Sequence, residues 1–214
     1  MINEASIDRL REQVRERLTG ARLSHTLGVE KMAVYLGELY APEKNCVLRA
    51  AALLHDITKP FSYEKQLQIC EKIGIIVPCE LKNAPKTLHA ITAAGIIPSE
   101  YPDFADDEII DAVRWHTTGR ANMSITEKLI YLADFIEETR TYDDCVLVRD
   151  HFFDASPEKM SPSERLWHLD DTLLLSFDIT MRQLIDEDTP IATSTCEARN
   201  YIISSLREMT APNK

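Results

Sequence analysis

Apolar positions along this chain recur at intervals of three, four and seven residues, the period of helices with one buried face. That period predicts helical segments at about 4–18 and 22–40, parted near Gly20, and at about 43–57, entered at Pro42 and stopped by Pro60. Further segments are expected at about 63–73, ending at Gly74, at about 86–97, between Pro85 and Pro98, and at about 106–117, ahead of Gly119. Three later starts carry the serine–glutamate spacing of a capping box: Ser124 with Glu127, Ser161 with Glu164, and Ser194 with Glu197. Pro162 also stands at the favoured first helical position. These open helices at about 125–138, 162–187 and 195–209. Six glycines are few for a turn-rich β fold, and no internal repeat or low-complexity tract interrupts the pattern. The fold class is therefore all-α. The stretch 154–162 is the best boundary, separating a helical domain (1–155) from a C-terminal helical extension (156–214) packed on it.

Four of the six histidines fall on these apolar stripes, one per helix. His25 shares a face with Gly28, Val29 and Met32; His55 with Leu48, Ala51 and Ala52; His89 with Thr92, Ala93 and Ile96; His116 with Ile109, Ala112 and Val113. A single inward histidine is ordinarily a core residue bonded to a carbonyl. Four of them, with Asp56 directly after His55, are a different matter. Each buried polar ring without a partner costs a few kcal/mol (~1–3), and a metal removes that cost by taking the lone pairs and the carboxylate charge together. Asp134 is expected mid-helix between Ala133 and Phe135, a poor place for an aspartate unless something holds it. Nitrogen and oxygen donors without thiolate suit iron, manganese, cobalt, nickel or zinc.

Composition narrows the partners. The net charge of −11 is uneven, because residues 1–100 carry 13 Lys+Arg against 12 Asp+Glu and residues 101–214 carry 11 against 23. A broad basic footprint for nucleic acid is absent, so an anionic ligand has to be attracted by metal ions and a few local cations. The purely apolar runs, such as Ile75-Ile76-Val77, are far too short to span a bilayer, so no membrane partner is expected. Cysteines 46, 70, 79, 145 and 196 form no Cys-x-x-Cys pair, and Met1-Ile2-Asn3-Glu4 does not read as a signal peptide. Reduced thiols and a cytoplasmic location are the expectation.

The series His25, His55-Asp56, His89, His116, Asp134 resembles the HD-domain metal-dependent phosphohydrolases. The closer likeness is to the YqeK-type branch, the symmetrical bis(5′-nucleosyl)-tetraphosphatases. It runs from Arg22 to Arg149, through Arg-Leu-Ser-His (22–25), His-Asp-Ile-Thr-Lys (55–59), Leu-His-Ala (88–90), His-Thr-Thr-Gly (116–119) and Ala-Asp-Phe-Ile-Glu (133–137) with Arg140. His-Asp alone is a weak motif. His-Thr-Thr-Gly followed by Asn122-Met123-Ser124 and the Ala133–Glu137 run is far more specific. One departure is Glu138-Thr139, where the branch usually has a proline after Ile-Glu.

The resemblance implies an HD-domain helical bundle holding two metal ions, with iron favoured. His25, His55, Asp56 and Asp134 would hold one, and Asp56, His89 and His116 the other. Two ions roughly 3.5–4 Å apart activate water at neutral pH and flank a phosphoryl group. The implied substrate is diadenosine tetraphosphate, cleaved to two ADP. Lys59, one turn past Asp56, is the first candidate to neutralise phosphate; a solvated lysine is the plainer reading. Arg140 and Arg22 are either phosphate contacts or ion pairs, Arg140 with Glu137. Thr117, Thr118 and Gly119 either hold phosphate oxygens or simply stop a helix, and Glu137 is a candidate to orient a ligand from behind. His151, on a stripe with Leu147 and Val148, reads as structural, and His168 reads as solvated. Trp167, Leu174, Phe177, Met181 and Leu184 form a stripe suited to the core or a homodimer contact. The rival functions are hydrolysis of another nucleotide, such as a deoxynucleotide or guanosine alarmone, and a non-catalytic nucleotide sensor. The cyclic-dinucleotide subgroup is disfavoured, because its Gly-Tyr-Pro signature is missing.

Overall fold

The computed structural model describes residues 2–77 and 85–210, so Cys79 lies outside the described residues. Among these there are ten α-helices and no strand: α1 (Glu4–Arg17), α2 (Gly20–Tyr40), α3 (Asn45–Leu54), α4 (Tyr63–Lys72), α5 (Leu88–Glu100), α6 (Asp107–Trp115), α7 (Ile125–Ile136), α8 (Asp143–Asp154), α9 (Pro162–Asp186) and α10 (Thr193–Thr210). None is long and apolar enough to cross a membrane.

The centre of the bundle is α3. Its Ala-Ala-Ala-Leu-Leu run (50–54) is wholly buried, as expected of a segment apolar on all sides. Small alanines let α1, α2, α6 and α7 all close on it. Helix α5 packs between α4 and α6, while α8 and α9 continue outward from α7 and α10 lies along α9. One continuous apolar core runs from Ile7 and Leu10 in α1 to Phe177, Ile202 and Leu206 in the last two helices.

Local chemistry explains most element ends. The capping boxes at Ser124/Glu127 and Ser161/Glu164 both form, and another at Asn3/Ser6 opens α1. Several boundaries differ from expectation. α10 starts at Thr193, which places Ser194 inside the helix rather than at its cap. α5 continues through Pro98 to Glu100; in a final turn the proline forfeits a single helical hydrogen bond. α7 ends at Ile136, so Asp134 occupies a last turn rather than a helix middle. His168 is buried, not solvated, with Nε2 3.0 Å from the carbonyl oxygen of Phe152. Helix α8 is polar through its first turn, Asp143-Asp144, and only the stripe of Leu147, Val148 and His151 hints at it in the sequence.

Candidate metal centre

The four inward histidines arrive from four helices. His25 projects from the second turn of α2, and His89 from the first turn of α5. His55 and His116 are the C-terminal caps of α3 and α6. In both capping histidines Nδ1 reaches back to a carbonyl three residues earlier: His55 to Ala52 at 2.6 Å and His116 to Val113 at 2.7 Å. Only a carbonyl acceptor is available there, so Nδ1 carries the proton and Nε2 keeps its lone pair. Those lone pairs point inward. His55 Nε2 lies 3.3 Å from His25 Nε2, and His116 Nε2 lies 3.1 Å from His89 Nε2. The turn that carries Asp56 is pinned to α5 by the Thr58 hydroxyl, which donates to the His89 carbonyl at 2.9 Å.

Asp56 is fully buried between the two histidine pairs. Its Oδ2 faces His25 Nε2 at 3.7 Å and His55 Nε2 at 3.5 Å, whereas Oδ1 faces His89 Nε2 at 3.2 Å and His116 Nε2 at 3.8 Å. Asp134 Oδ1 completes the first set, 2.9 Å from His25 Nε2 and 3.8 Å from His55 Nε2. Two groups of donor atoms result, each compact enough for one ion: His25, His55 and Asp134, and His55, Asp56 and His116. Asp56 Oδ1 makes no hydrogen bond within the protein. A buried carboxylate oxygen left in that state, facing imidazole lone pairs, fits a cation.

The surrounding charges work against burial. Burial alone would push the Asp56 carboxyl up, but the neighbouring His55 ring and the contacts with His116 and His89 hold it well below the usual carboxylate range. For Asp134, Arg140 and His25 overcome burial in the same way. Burial depresses His55, and takes His89 down to about 4. His25 goes the other way, because Asp134 and Glu137 together outweigh its burial.

The predicted cations are engaged with these carboxylates. Arg22 Nη1 donates to Asp56 Oδ2, and Lys59 Nζ stands 3.3 Å from Asp56 Oδ1. Arg140 pairs with Asp134, through Nη2 to Oδ1 and Nε to the carbonyl oxygen at 2.9 Å, rather than with Glu137. Glu137 is fully buried and lies behind His25, its Oε1 2.9 Å from Nδ1. It also accepts from the amide and hydroxyl of Thr139 at 2.7 and 2.6 Å. Its other neighbour is Gly28, where a Cβ would sit 2.3 Å from Oε2. Arg149 holds this turn by donating to the carbonyls of Ile136, Glu137 and Arg140.

A cleft of about 500 Å³ opens onto the centre. Lys59, His89, His116, Thr117, Asp134 and Arg140 line it. The Thr117 hydroxyl touches the Nε2 atoms of His89 and His116 at 3.2 and 3.1 Å. Thr118 is buried and donates to the Gly119 carbonyl, while the Gly119 amide donates to that of Trp115. Gly119 adopts φ +63°, and a Cβ there would meet Phe177 Cζ at 2.6 Å and Ala198 Cβ at 3.1 Å. This glycine lets the 116–119 turn close against α9 and α10. The cleft also draws on residues that sequence reasoning did not single out: Tyr63, Gln66, Lys86, Tyr131, Phe135 and Thr180. Thr180 comes from α9, so the C-terminal helices contribute to the cleft wall. No local signal marks it, since it reaches the cleft only by the packing of α9 on α7.

The HD-domain family model matches residues 22–139, the segment that carries all of these donors. The chain belongs to the HD-domain family. Its relatives within that family include proteins named symmetrical bis(5′-nucleosyl)-tetraphosphatase from Staphylococcus aureus, 30% identical over 92% of this chain and 94% of that one, and from Bacillus subtilis, 31% identical over 89% and 94%. A crystal structure from Clostridium acetobutylicum, described as a predicted HD superfamily hydrolase involved in NAD metabolism, superposes with a TM-score of 0.79. It is 33% identical and covers 92% of this chain and 97% of its own. The likeness therefore extends well past the HD domain, through the C-terminal helices.

Proposed function

We propose that this HD-domain protein hydrolyses dinucleoside polyphosphates symmetrically, taking diadenosine tetraphosphate and water to two molecules of ADP. The observation that supports this most is the placement of Asp56, one carboxylate oxygen toward His25 and His55 and the other toward His89 and His116. In this reading His25, His55, Asp56 and Asp134 hold one metal ion and Asp56, His89 and His116 hold a second. Such a pair supplies Lewis acidity and an activated water next to phosphorus. Iron is the metal the resemblance favours; manganese, cobalt, nickel and zinc suit the same donors.

The chain's own residues supply position and charge. Ala52 and Val113 carbonyls fix the tautomers of His55 and His116, and Glu137 orients His25 from behind. Lys59 and Thr117 line the cleft beside the donors and are placed to meet a bridging phosphate. Arg22 and Arg140 balance the buried carboxylates, and Arg140 and Lys86 in the cleft wall are further cations for an anionic chain of phosphates. The rings of Tyr63 and Phe135 on the cleft wall offer faces on which a purine stacks.

The test is product analysis with elemental analysis of the purified protein. ADP as sole product from diadenosine tetraphosphate supports the proposal, and ATP plus AMP defeats it. A second reading follows from the clostridial relative's description: a different dinucleotide joined by a phosphate bridge, such as NAD. Turnover of NAD in the same screen, with none of the tetraphosphate, would select it. Metal content near zero, with no turnover after iron, manganese or cobalt is supplied, would instead select a nucleotide sensor.

A further inference from the structure

A cavity of about 1190 Å³ lies between α8 and α9 and shares no lining residue with the cleft above the HD centre. Its wall includes His151, His168 and Asp171. One donor atom from each of these three lies within 4.8 Å of the other two. His151 Nε2 stands 3.0 Å from Asp171 Oδ2. His168 and Asp171 are three residues apart on α9 and so project from one face of that helix, while His151 reaches them from α8.

The tautomer of His168 is the second observation. The ring is only 4% exposed, and its Nε2 lies 3.0 Å from the Phe152 carbonyl oxygen. A carbonyl only accepts, so Nε2 bears the proton and Nδ1 carries the lone pair. A histidine that donates one ring N–H to a backbone carbonyl is the usual arrangement behind a metal-ligating imidazole, because it fixes the ring and raises the basicity of the other nitrogen. Phe152 stacks on the His168 ring at 5.5 Å and holds its plane. His151 and Asp171 keep 36% and 31% side-chain exposure, which leaves the group open on the cavity side.

The geometry points to a further metal site, in which His151, His168 and Asp171 bind one divalent transition ion of the zinc class, separate from the HD centre. Two imidazoles and one carboxylate are a donor set that zinc accepts, with the fourth position left to solvent or to a ligand in the cavity. The ion would bridge α8, the helix that follows the HD-domain segment, to α9 of the C-terminal extension. An ion that binds only the folded arrangement stabilises it.

The experiment compares zinc binding by the full chain and two variants, His151→Ala and Asp171→Asn, whose side chains are partly exposed and so replaceable without opening the core. Metal-free proteins are titrated with zinc alone, and bound metal is counted by elemental analysis after dialysis against the same free zinc. The expected result is one equivalent fewer on His151→Ala than on the parent chain, with a weakened last equivalent on Asp171→Asn. Zinc should also raise the thermal midpoint of the parent more than that of either variant. Phosphohydrolase turnover of the two variants stays at the parent level, because neither residue touches the HD cleft. Equal zinc stoichiometry and equal thermal shifts in parent and variants would show the three residues to be only an ion pair beside a core histidine, and would overturn the proposal.

Discussion

Replacing Gly28 with alanine tests how Glu137 serves His25. Gly28 lies one turn beyond His25 on α2, in the interior of a 21-residue helix. By helix propensity alone, alanine there stabilises by about 0.5–1 kcal/mol. The structure predicts the opposite sign. A Cβ at position 28 would stand 2.3 Å from Glu137 Oε2 and 3.1 Å from its Cδ, an overlap of about 1 Å against normal contact. A flexible glutamate at the surface would swing away at little cost. Glu137 cannot, being fully buried and tied by the amide and hydroxyl of Thr139 and by His25 Nδ1. Breaking one of these hydrogen bonds to a buried carboxylate costs about 1.5–3 kcal/mol, so the net effect is a destabilisation of about 1–2 kcal/mol. If the bond to His25 is the one that breaks, metal affinity falls by about 10–100-fold. Urea denaturation of the metal-free protein and a metal titration measure the two effects separately. A Gly28→Ala protein more stable than its parent, with metal affinity unchanged, would refute the reasoning.

Asp56→Ala should lose nearly all bound metal at the HD centre and nearly all turnover, whereas Lys59→Ala should retain the metal and turn over more slowly; normal activity in Asp56→Ala would sink the bridging role. The metal-free protein should lose stability as pH falls from about 6.5 toward 4. His89, depressed to about 4, and His55, also depressed, take up protons in the unfolded chain before the folded one in that window, and His25, raised by Asp134 and Glu137, offsets only part of this; a thermal midpoint that rises as pH falls across it would contradict the burial of these rings. Gly119→Ala should destabilise by about 2–5 kcal/mol, from a left-handed alanine at about 1–2 plus overpacking against Phe177 at about 1–3. Adding Phe177→Leu should recover part of this in a double-mutant comparison.

The sequence carried the interior of the site better than its rim. The inward placement of His25, His55, His89 and His116 was legible because a side chain that faces a bundle core must sit on the apolar stripe of its own helix, and the stripe has a period. Asp134 was legible as a charge in an apolar run, though its place in the last turn of α7 depended on where Glu137 ends the helix. The partner of Arg140 was not legible: helical spacing offers Glu137, three residues away, whereas Asp134, six away, is reached only because the chain leaves the helix at Glu137, whose extended backbone turns its own side chain toward His25. Tyr63, Phe135 and Thr180 join the cleft through packing between helices distant in the chain, which no local period records. His168 looked solvated beside Glu164 and Asp171, yet the docking of α8 buries it. Pro98 and Ser194 misplaced two helix ends because a helix terminus tolerates an interrupted or redundant cap.

The contact of Gly119 with Phe177 and Ala198 also bears on how such a protein changes over generations. The turn that follows His116 gives up a side chain so that two helices from the far end of the chain can close against it. A larger residue at 119 is tolerable only in company with a smaller one at 177 or 198, so these positions are expected to vary together among descendants of this sequence. A crossover near residue 155 that joins the front of one lineage to the back of another would break the match. What is inherited as a working catalyst is therefore the whole chain, and the HD domain and its C-terminal helices must diverge in step.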